Sequence, residues 1–302
     1  MNRYQYVRGS KNKDLLHAIL INCVPTILLI IVFQLLPILI AIIYSFMKIN
    51  LMAGTKTFIG MHNYLHALQD ERFLASLVTT LRYFFMRVPL QVILGFFLSL
   101  LFYQPKKWTP LLRTITLLPV ITSMVVVTSI LGLMMHPSNG LINSLLHIIG
   151  IPAQGFLTDP KQALGSIVFI TVWKNVGMTM LFFLAGLMAI SPTLYEAAAI
   201  DGCSFFQKHW SVTIPMLKKT FLFVLITTTI RSFQVFGPIL MATNGGPLQS
   251  TRVVVLDIYE NAFVFNQLGY ASTQSVILAV ILIGISLLQM RFSESRKGEK
   301  NI

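Results

Sequence analysis

Acidic residues are scarce in this chain. Asp and Glu together account for 10 of its 302 residues, against 23 Lys and Arg, and charged residues of both signs make up only 11%. Soluble domains carry about 25% charged residues, so this composition excludes an ordinary soluble fold. The hydrophobic share of 55% and a mean hydropathy of +0.74 indicate a membrane protein instead.

Cysteine is rare, and the motifs of hydrolytic enzymes are missing from the sequence. Cys23 lies in a long apolar run and Cys203 in a polar loop, so the pair predicts neither a disulfide framework nor a metal site. The sequence contains no HExxH, no GxSxG and no Walker A glycine loop. We therefore expect a chain that is not an enzyme and binds no metal or cofactor, so that energy for any active transport must come from elsewhere.

Long apolar runs predict membrane-spanning helices. A span needs about 20 mostly apolar residues, and continuous rather than alternating runs indicate helices instead of a barrel. Six segments meet this condition, at 16–46, 77–103, 114–135, 163–190, 220–243 and 271–291. The predicted fold is all-α, a polytopic membrane protein with six transmembrane helices. We expect Pro25 and Pro37 to kink the first span.

The basic residues predict the orientation of these spans. If the N-terminus is cytoplasmic, only five basic residues fall in outer segments, namely Lys48, Lys56, Arg72, Lys161 and Arg252. The inner segments then hold a larger set, namely Arg3, Arg8, Lys11, Lys13, Lys106, Lys107, Arg113, Lys208, Lys218, Lys219, Arg291, Arg296, Lys297 and Lys300. This bias predicts cytoplasmic termini, with tails at 1–15 and 292–302. The net charge of +13 is thus a topology signal and predicts no nucleic-acid partner.

A polar loop at 191–219 separates the fourth and fifth spans on the predicted cytoplasmic face. Ser191 can cap a short helix that has Pro192 at its first position. Gly202 can end this helix in a left-handed conformation. We expect a second short helix at 203–210 and expect Pro215 to open the fifth span. The product is a helix, a tight bend and a second helix outside the bilayer.

The first helix of this loop has the chemistry of a surface that another protein grips. Ala197 and Ala198 have small side chains, so a partner can approach the backbone closely. Glu196 and Asp201 offer charge at the rim of the same helix. The alternative is that the loop is polar only because it is in contact with water.

The spacing of these residues resembles the EAA loop of the permease subunits of binding-protein-dependent ABC importers. The matching positions are Glu196, Ala197, Ala198, Gly202, Val212, Ile214 and Pro215. In that family the loop forms a coupling helix that docks into a cleft of the cytoplasmic ATPase subunit. The resemblance implies that Glu196, Ala197, Ala198, Asp201, Gly202 and Pro215 couple this chain to an ATPase. Val212 and Ile214 replace the usual Ile and Leu, and Cys203 replaces the usual Ala.

Other stretches are similar to the sugar-importer permeases of the maltose, lactose and glycerol-phosphate type. They are FIGMHNYLHALQDERF at 58–73, GLINSLL at 140–146, FLAGLMAISP at 183–192, SFQVFGPI at 232–239 and TNGGPLQST at 243–251. The TNGGP segment is similar to the first of the two permease subunits in such systems. The resemblance implies a permease domain at 16–291, with a family core at about 77–291.

That family assigns the chain a set of partners. They are a second, nonidentical permease, two ATPase subunits that bind ATP and Mg, and an extracytoplasmic solute-binding protein. The implied location is the bacterial cytoplasmic membrane, and the implied substrate is a sugar, most simply a di- or oligosaccharide. A glycerol phosphodiester stays open as an alternative substrate.

Polar residues inside the predicted spans are candidates for the substrate path. An ionisable group in a span costs about 2.5–3.5 kcal/mol on insertion scales and usually faces a cavity or a partner. If the fifth span is one helix, Thr227, Arg231, Gln234 and Pro238 share a face. The resulting candidates are Lys174, Asn175, Arg231, Gln234 and Phe236. Alternatively, Lys174 and Arg231 contact the second permease or extend to an interface.

Other residues of the spans are expected to have structural roles. Arg82 and Arg87 lie near the outer end of the second span, where a long side chain extends easily into the headgroup region. Tyr103, Trp108 and Trp210 are placed at the inner interface as aromatic anchors.

Two other classes of function fit the sequence less well than a permease does. An ion-coupled secondary transporter needs no ATPase and usually carries a buried acid, but none of the ten acidic residues falls in the middle of a span and no repeat is evident. A membrane-embedded enzyme needs a nucleophile or a metal site, and the sequence offers neither.

Overall fold

The fold is described by a computed structural model over residues 23–50, 54–104 and 107–294. The predicted N-terminal tail at 1–15, the start of the first span at 16 and residues 295–302 of the C-terminal tail lie outside the described residues. The described residues divide into two compact units. The first contains the residues up to Leu68 together with Asn261–Val276, and the second contains Gln69–Glu260 together with the residues from Ile277 onward.

Helices account for most of the described residues, as predicted. In chain order the elements are α1 (Cys23–Ser45), β1 (Met47–Asn50), β2 (Thr55–Phe58), α2 (His62–Gln69), α3 (Glu71–Tyr103), α4 (Thr109–Ile121), α5 (Met124–Met134), α6 (Leu141–Ile148), α7 (Ala163–Met188), α8 (Pro192–Ile200), α9 (Phe206–Met216), α10 (Lys218–Phe233), α11 (Gly237–Ala242), α12 (Val254–Tyr259) and α13 (Leu268–Glu294).

The number of possible membrane crossings agrees with the prediction. Helices α1, α3 and α7, and α13 as far as Phe292, are each long and apolar enough to cross. Two bent pairs, α4 with α5 and α9 with α10, bring the number in the described residues to as many as six. Helix α1 contains a π-helical turn at Ile31–Leu35, immediately before the α-helical segment that has Pro37 in its first turn.

The third predicted span is not one helix. Helices α4 and α5 meet at an angle of 100°. The break lies at Thr122 and Ser123, whose ψ angles of 147° and 139° are those of an extended chain. Pro119 contributes because it removes one backbone hydrogen bond from the last turn of α4. The expectation of a continuous helix at 114–135 was therefore wrong.

The fifth predicted span also ends earlier than expected. Helix α10 stops at Phe233, Phe236 has nonhelical backbone angles (φ −141°, ψ −63°), and α11 restarts with Pro238 in its first turn. Proline fits a first turn because its missing N–H is not needed there. The predicted helical face was therefore wrong beyond Arg231, since Gln234 caps α10 and Pro238 belongs to α11.

The first unit contains a β-hairpin that the all-α prediction did not include. Strands β1 and β2 pair antiparallel, with Met47 opposite Phe58. Asn63 of α2 fixes the hairpin by donating from Nδ2 to the carbonyl oxygens of Ser45 (3.0 Å) and Met47 (3.1 Å). A Cβ on Gly269 would lie 1.9 Å from the carbonyl oxygen of Met47. Only glycine permits this approach, which explains why position 269 is a glycine.

Helices α3 and α7 pack together in the second unit. Helix α3 begins at Asp70, whose carboxylate accepts the backbone N–H groups of Arg72 (3.0 Å) and Phe73 (3.3 Å). A Cβ on Gly95 of α3 would lie 2.4 Å from Cγ2 of Thr179, so the two helices approach closely at this point. The 33 residues of α3 extend over about 50 Å, more than the roughly 30 Å hydrocarbon core. Part of α3 therefore lies beyond the hydrocarbon.

A cluster of four charges ties the start of α3 to the segment that contains α12. Asp257, whose side chain is fully buried, forms an ion pair with Nε of Arg72 (2.8 Å) and accepts a hydrogen bond from Nε of Arg252 (3.2 Å). Glu260 accepts from the same two guanidinium groups. Two cations and two carboxylates compensate one another, which is the condition under which buried charges are tolerated.

We predict that Asp257→Asn destabilises the chain. The substitution leaves two guanidinium groups with one carboxylate, and breaking a buried ion pair from one side costs about 3 kcal/mol or more. Thermal unfolding in detergent measures the effect as a lower midpoint. Glu71→Gln is the matched control, because it removes the same charge from an exposed side chain of the same region. Equal midpoints for the two variants would contradict the role of the cluster.

Candidate functional site

The polar loop folds as a helix, a tight bend and a second helix, as predicted. Helix α8 has Pro192 at its first position and is followed by Gly202, whose φ is +72°. The N–H of Gly202 donates to the carbonyl of Ala199 (3.1 Å), and the N–H of Cys203 donates to that of Ala198 (3.0 Å). These two bonds form a Schellman motif, which satisfies the last carbonyls of the helix.

The second helix of the loop is longer than predicted. It was expected at 203–210, but α9 continues to Met216, so Pro215 lies in its last turn and does not open the fifth span. Helix α10 begins at Lys218 and makes an angle of 67° with α9. Leu217, at the bend, is buried with Phe183 and other apolar residues of α7 and α10.

Helices α8 and α9 are held together by a buried hydroxyl. The side chain of Thr213 is fully buried, and its Oγ1 lies 3.0 Å from the hydroxyl of Tyr195 and 2.9 Å from Nδ1 of His209. Ser191 occupies the N-cap position of α8, but its hydroxyl bonds that of Thr193 (2.8 Å) and makes no capping bond. The loop therefore owes its shape to the glycine bend and to Thr213.

The loop residues predicted to contact a partner differ in their exposure. The members that are exposed and can meet a partner are Glu196, Ala197, Asp201, Gly202 and Pro215. Ala198 is 7% exposed, so its methyl group packs within the chain. Three large apolar side chains are strongly exposed on the same element: Ile200 (87%), Phe206 (83%) and Trp210 (77%). Sequence reasoning missed Ile200 and Phe206 and treated Trp210 only as an interface anchor.

Lys174 is bound by the backbone of the broken third span. It is 8% exposed, and its Nζ donates to the carbonyl oxygens of Val120 (3.1 Å) and Pro119 (3.4 Å), in the last turn of α4. A cation at a helix C-terminus is also favoured by the helix dipole. One turn further along α7, a Cβ on Gly177 would lie 2.4 Å from the carbonyl oxygen of Thr116, so α4 packs closely against this face.

Arg87 is buried in the interior of the second unit, which the sequence did not reveal. It is 4% exposed, and its guanidinium donates to Oε1 of Gln91 (3.2 Å) and Oγ of Ser232 (3.4 Å). Its Cζ lies 5.8 Å from the ring centroid of Tyr83. The expectation that Arg87 extends outward like Arg82 was wrong, because packing against α10 places it inside.

The remaining substrate-path candidates lie on different elements. Arg231 and Gln234 are exposed at the end of α10. Asn175 is half-buried and donates to the carbonyl of Thr171 (2.7 Å). Phe236 is half-buried, with its ring centroid 5.0 Å from that of Tyr259. Of the two cationic candidates, Lys174 donates to backbone carbonyls, whereas the side chain of Arg231 is exposed and bonds no other described residue. Arg231 is therefore the cation that could contact a ligand.

We predict that Lys174→Met lowers stability because it leaves the carbonyls of Pro119 and Val120 without their donor, at a cost of about 2 kcal/mol. The thermal midpoint should fall, and Lys174→Arg, which keeps a cationic donor, should recover part of it. Arg231→Met is the control, since it removes an exposed cation and should leave the midpoint unchanged. Loss of transport in Lys174→Met at an unchanged midpoint would contradict the structural role.

Comparison with known proteins places this architecture in one family. Residues 64–296 match the family described as the binding-protein-dependent transport system inner membrane component. The sn-glycerol-3-phosphate transport system permease protein UgpA of Brucella suis is 34% identical over 273 residues, which is 90% of this chain and 93% of that protein. The lactose transport system permease protein LacF of Rhizobium radiobacter is 35% identical over 279 residues, with 90% and 93% covered.

The fold agrees with that of a solved importer. A bacterial alginate ABC transporter, crystallised in complex with an alginate pentasaccharide-bound periplasmic protein, contains a chain that matches with a TM-score of 0.83. The match covers 97% of this chain and 98% of that chain at 24% sequence identity, so it shows the shared fold. With the family match over residues 64–296, the chain belongs to the inner membrane components of binding-protein-dependent transport systems, as the permease subunit of an ABC importer.

Proposed function

We propose that this chain imports a sugar, a di- or oligosaccharide, across the bacterial cytoplasmic membrane as one of two nonidentical permease subunits. Two ATPase subunits that bind ATP and Mg complete the transporter on the inner side, and an extracytoplasmic binding protein delivers the substrate. The names of LacF and of the alginate importer support a carbohydrate. The TNGGP segment supports the first permease position.

We infer that the helix–bend–helix at 191–216 is the element that docks on the ATPase. The observation that carries this proposal is the exposure of Ile200, Phe206 and Trp210 on the same loop that exposes Glu196 and Asp201. Large apolar side chains exposed on a polar loop mark an interaction surface, and aromatic residues dominate the binding energy of such surfaces. The rim charges add orientation.

The path from this loop to the membrane runs through α9 and α10. Thr213 fixes α8 to α9, so a force applied to α8 also moves α9. The bend at Leu217 passes this motion to α10, which packs closely on α7, since a Cβ on Gly186 would lie 2.6 Å from Oγ1 of Thr220. We propose that ATP binding draws the two coupling helices of the transporter together and so favours the outward-facing conformation.

We propose that the substrate path includes Arg231 and Gln234, with Phe236 as an aromatic surface for a sugar ring. Exposed polar groups at the end of a membrane helix are not stable against lipid, so they face a cavity or the second permease. Asn175 and Lys174 then support the path rather than line it, because both are bonded to backbone carbonyls. A glycerol phosphodiester is the second candidate substrate, favoured by the open guanidinium of Arg231.

We predict that Gly202→Val reduces uptake at least about tenfold. A β-branched residue at φ +72° costs about 1–2 kcal/mol, so the Schellman bend is lost and the ATPase is released or uncoupled. No atom lies within 4 Å of a Cβ at this position, so the penalty is purely conformational. Gly202→Asn, which tolerates a left-handed backbone, should retain more activity.

Gly150→Val is the matched control for this test. Gly150 has φ +77° and equally open surroundings but lies after α6, away from the loop. Uptake and ATP hydrolysis are measured in membrane vesicles that contain the assembled transporter. An equal loss in both variants would mean that general destabilisation, not coupling, explains the effect.

We predict that Arg231→Ala lowers substrate uptake by about tenfold while the transporter stays assembled, because a hydrogen bond from a charged donor contributes about 1.5–3 kcal/mol. Uptake is measured in vesicles, and assembly by co-purification of the subunits. Arg291→Ala, which removes an exposed cation near the end of α13, is the control. If Arg231→Ala loses the second permease, Arg231 is a subunit contact and not part of the path.

A further inference from the structure

Two cations that pair with no other described side chain line one groove of the second unit. The groove has a volume of about 810 Å³ and lies between α3, the turn before α7 and the loop after α11. Arg82 and Lys161 line it, and neither side chain makes a hydrogen bond or ion pair with another described residue. Arg72 and Arg252, by contrast, are fully engaged with carboxylates. The lining residues include no Asp or Glu, so an anion meets no repulsion inside the groove.

The position of Arg82 along α3 places the groove at the edge of the hydrocarbon. The 21 residues from Arg82 to Tyr103 span about 32 Å, which equals the thickness of the hydrocarbon core. Tyr103 was predicted at the inner interface, so Arg82 lies at the opposite headgroup level. Lys161, two positions before the first residue of α7, lies at the same level because it lines the same groove as Arg82. The groove therefore opens where lipid phosphates are found.

The walls of the groove combine polar and apolar side chains. Next to the cations, Gln249 and Ser250 supply polar groups, and the hydroxyl of Ser250 is buried with no hydrogen-bond partner among the described residues. The apolar side chains Val78 (47%), Phe85 (67%) and Met86 (45%) are exposed in the same groove, and Phe85 and Met86 lie about one helical turn closer to Tyr103 than Arg82 does. A ligand that fits both parts has an anionic head and a hydrocarbon tail.

We propose that this groove binds one anionic phospholipid, whose phosphate contacts Arg82 and Lys161 and whose acyl chain lies along Phe85 and Met86. Two cations favour a lipid with a net negative charge, such as phosphatidylglycerol, over a zwitterionic one, because each basic residue near the membrane surface adds attraction for anionic lipid. The volume is within the range of about 300–1,000 Å³ typical of specific ligand clefts.

Native mass spectrometry of the assembled transporter tests the proposal. The complex is purified as wild type and as Arg82→Gln/Lys161→Gln, and each is titrated with phosphatidylglycerol, phosphatidylethanolamine or inorganic phosphate. The matched control is Lys107→Gln/Lys219→Gln, which removes the same charge from exposed residues on the opposite face. Arg82→Lys/Lys161→Arg exchanges the two cations and keeps the charge, so it separates electrostatic attraction from loss of folding.

We expect phosphatidylglycerol to remain bound to the wild type, the control and the exchanged variant, and its retention to fall by about tenfold or more in the double Gln variant. Equal retention of phosphatidylethanolamine, or competition by inorganic phosphate alone, would overturn the proposal in favour of a general lipid contact or a free-anion site. If the double Gln variant loses the second permease or the binding protein and binds lipid normally, the groove is a protein interface and the proposal is wrong.

Discussion

A bilayer offers no hydrogen-bond partner to a polar group, and this constraint decides how the interior of the chain is built. Several buried hydroxyl groups along the spans donate to carbonyls of their own helix, as Thr171 does with Ile167 (2.9 Å) and Thr80 with Ser76 (2.7 Å). The break in the third span exposes carbonyls at Pro119 and Val120, and the ammonium of Lys174 satisfies them. The break in the third span is therefore accompanied by a side-chain donor, Lys174, for the carbonyl oxygens that it leaves unpaired.

The same constraint divides the basic residues into two functional classes. Some bond other side chains of the fold. Arg72 and Arg252 form ion pairs with carboxylates, and Arg87 donates hydrogen bonds to Gln91 and Ser232. The side chains of Arg231, Arg82 and Lys161 have no partner among the described residues, and Arg82 and Lys161 line one groove. The presence or absence of a bonding partner therefore distinguishes structural cations from candidate ligand contacts. The position of a cation in a hydropathy profile does so less clearly.

The parts of the structure that depend on local chemistry were predictable from the sequence. Pro192 and Gly202 act on neighbouring residues, so the start and end of α8 were correct. The breaks at Thr122 and at Phe236 were not found, because the apolar composition continues through both. The environment of Arg87 was wrong for another reason, since Ser232 is 145 residues away and only tertiary packing brings the two together. The exposure of Ile200 and Phe206 likewise depends on how α8 and α9 lie against each other.

We propose that the loop at 191–216 joins this permease to an ATPase. The most direct test is affinity purification of the tagged chain from its native membrane, with mass spectrometry of the bound proteins, beside a Glu196→Lys/Gly202→Val variant. We expect a second permease and a P-loop ATPase to accompany the wild type, and the ATPase alone to be lost from the variant. Recovery of the chain by itself, or an ATPase that stays bound to the variant, would contradict it.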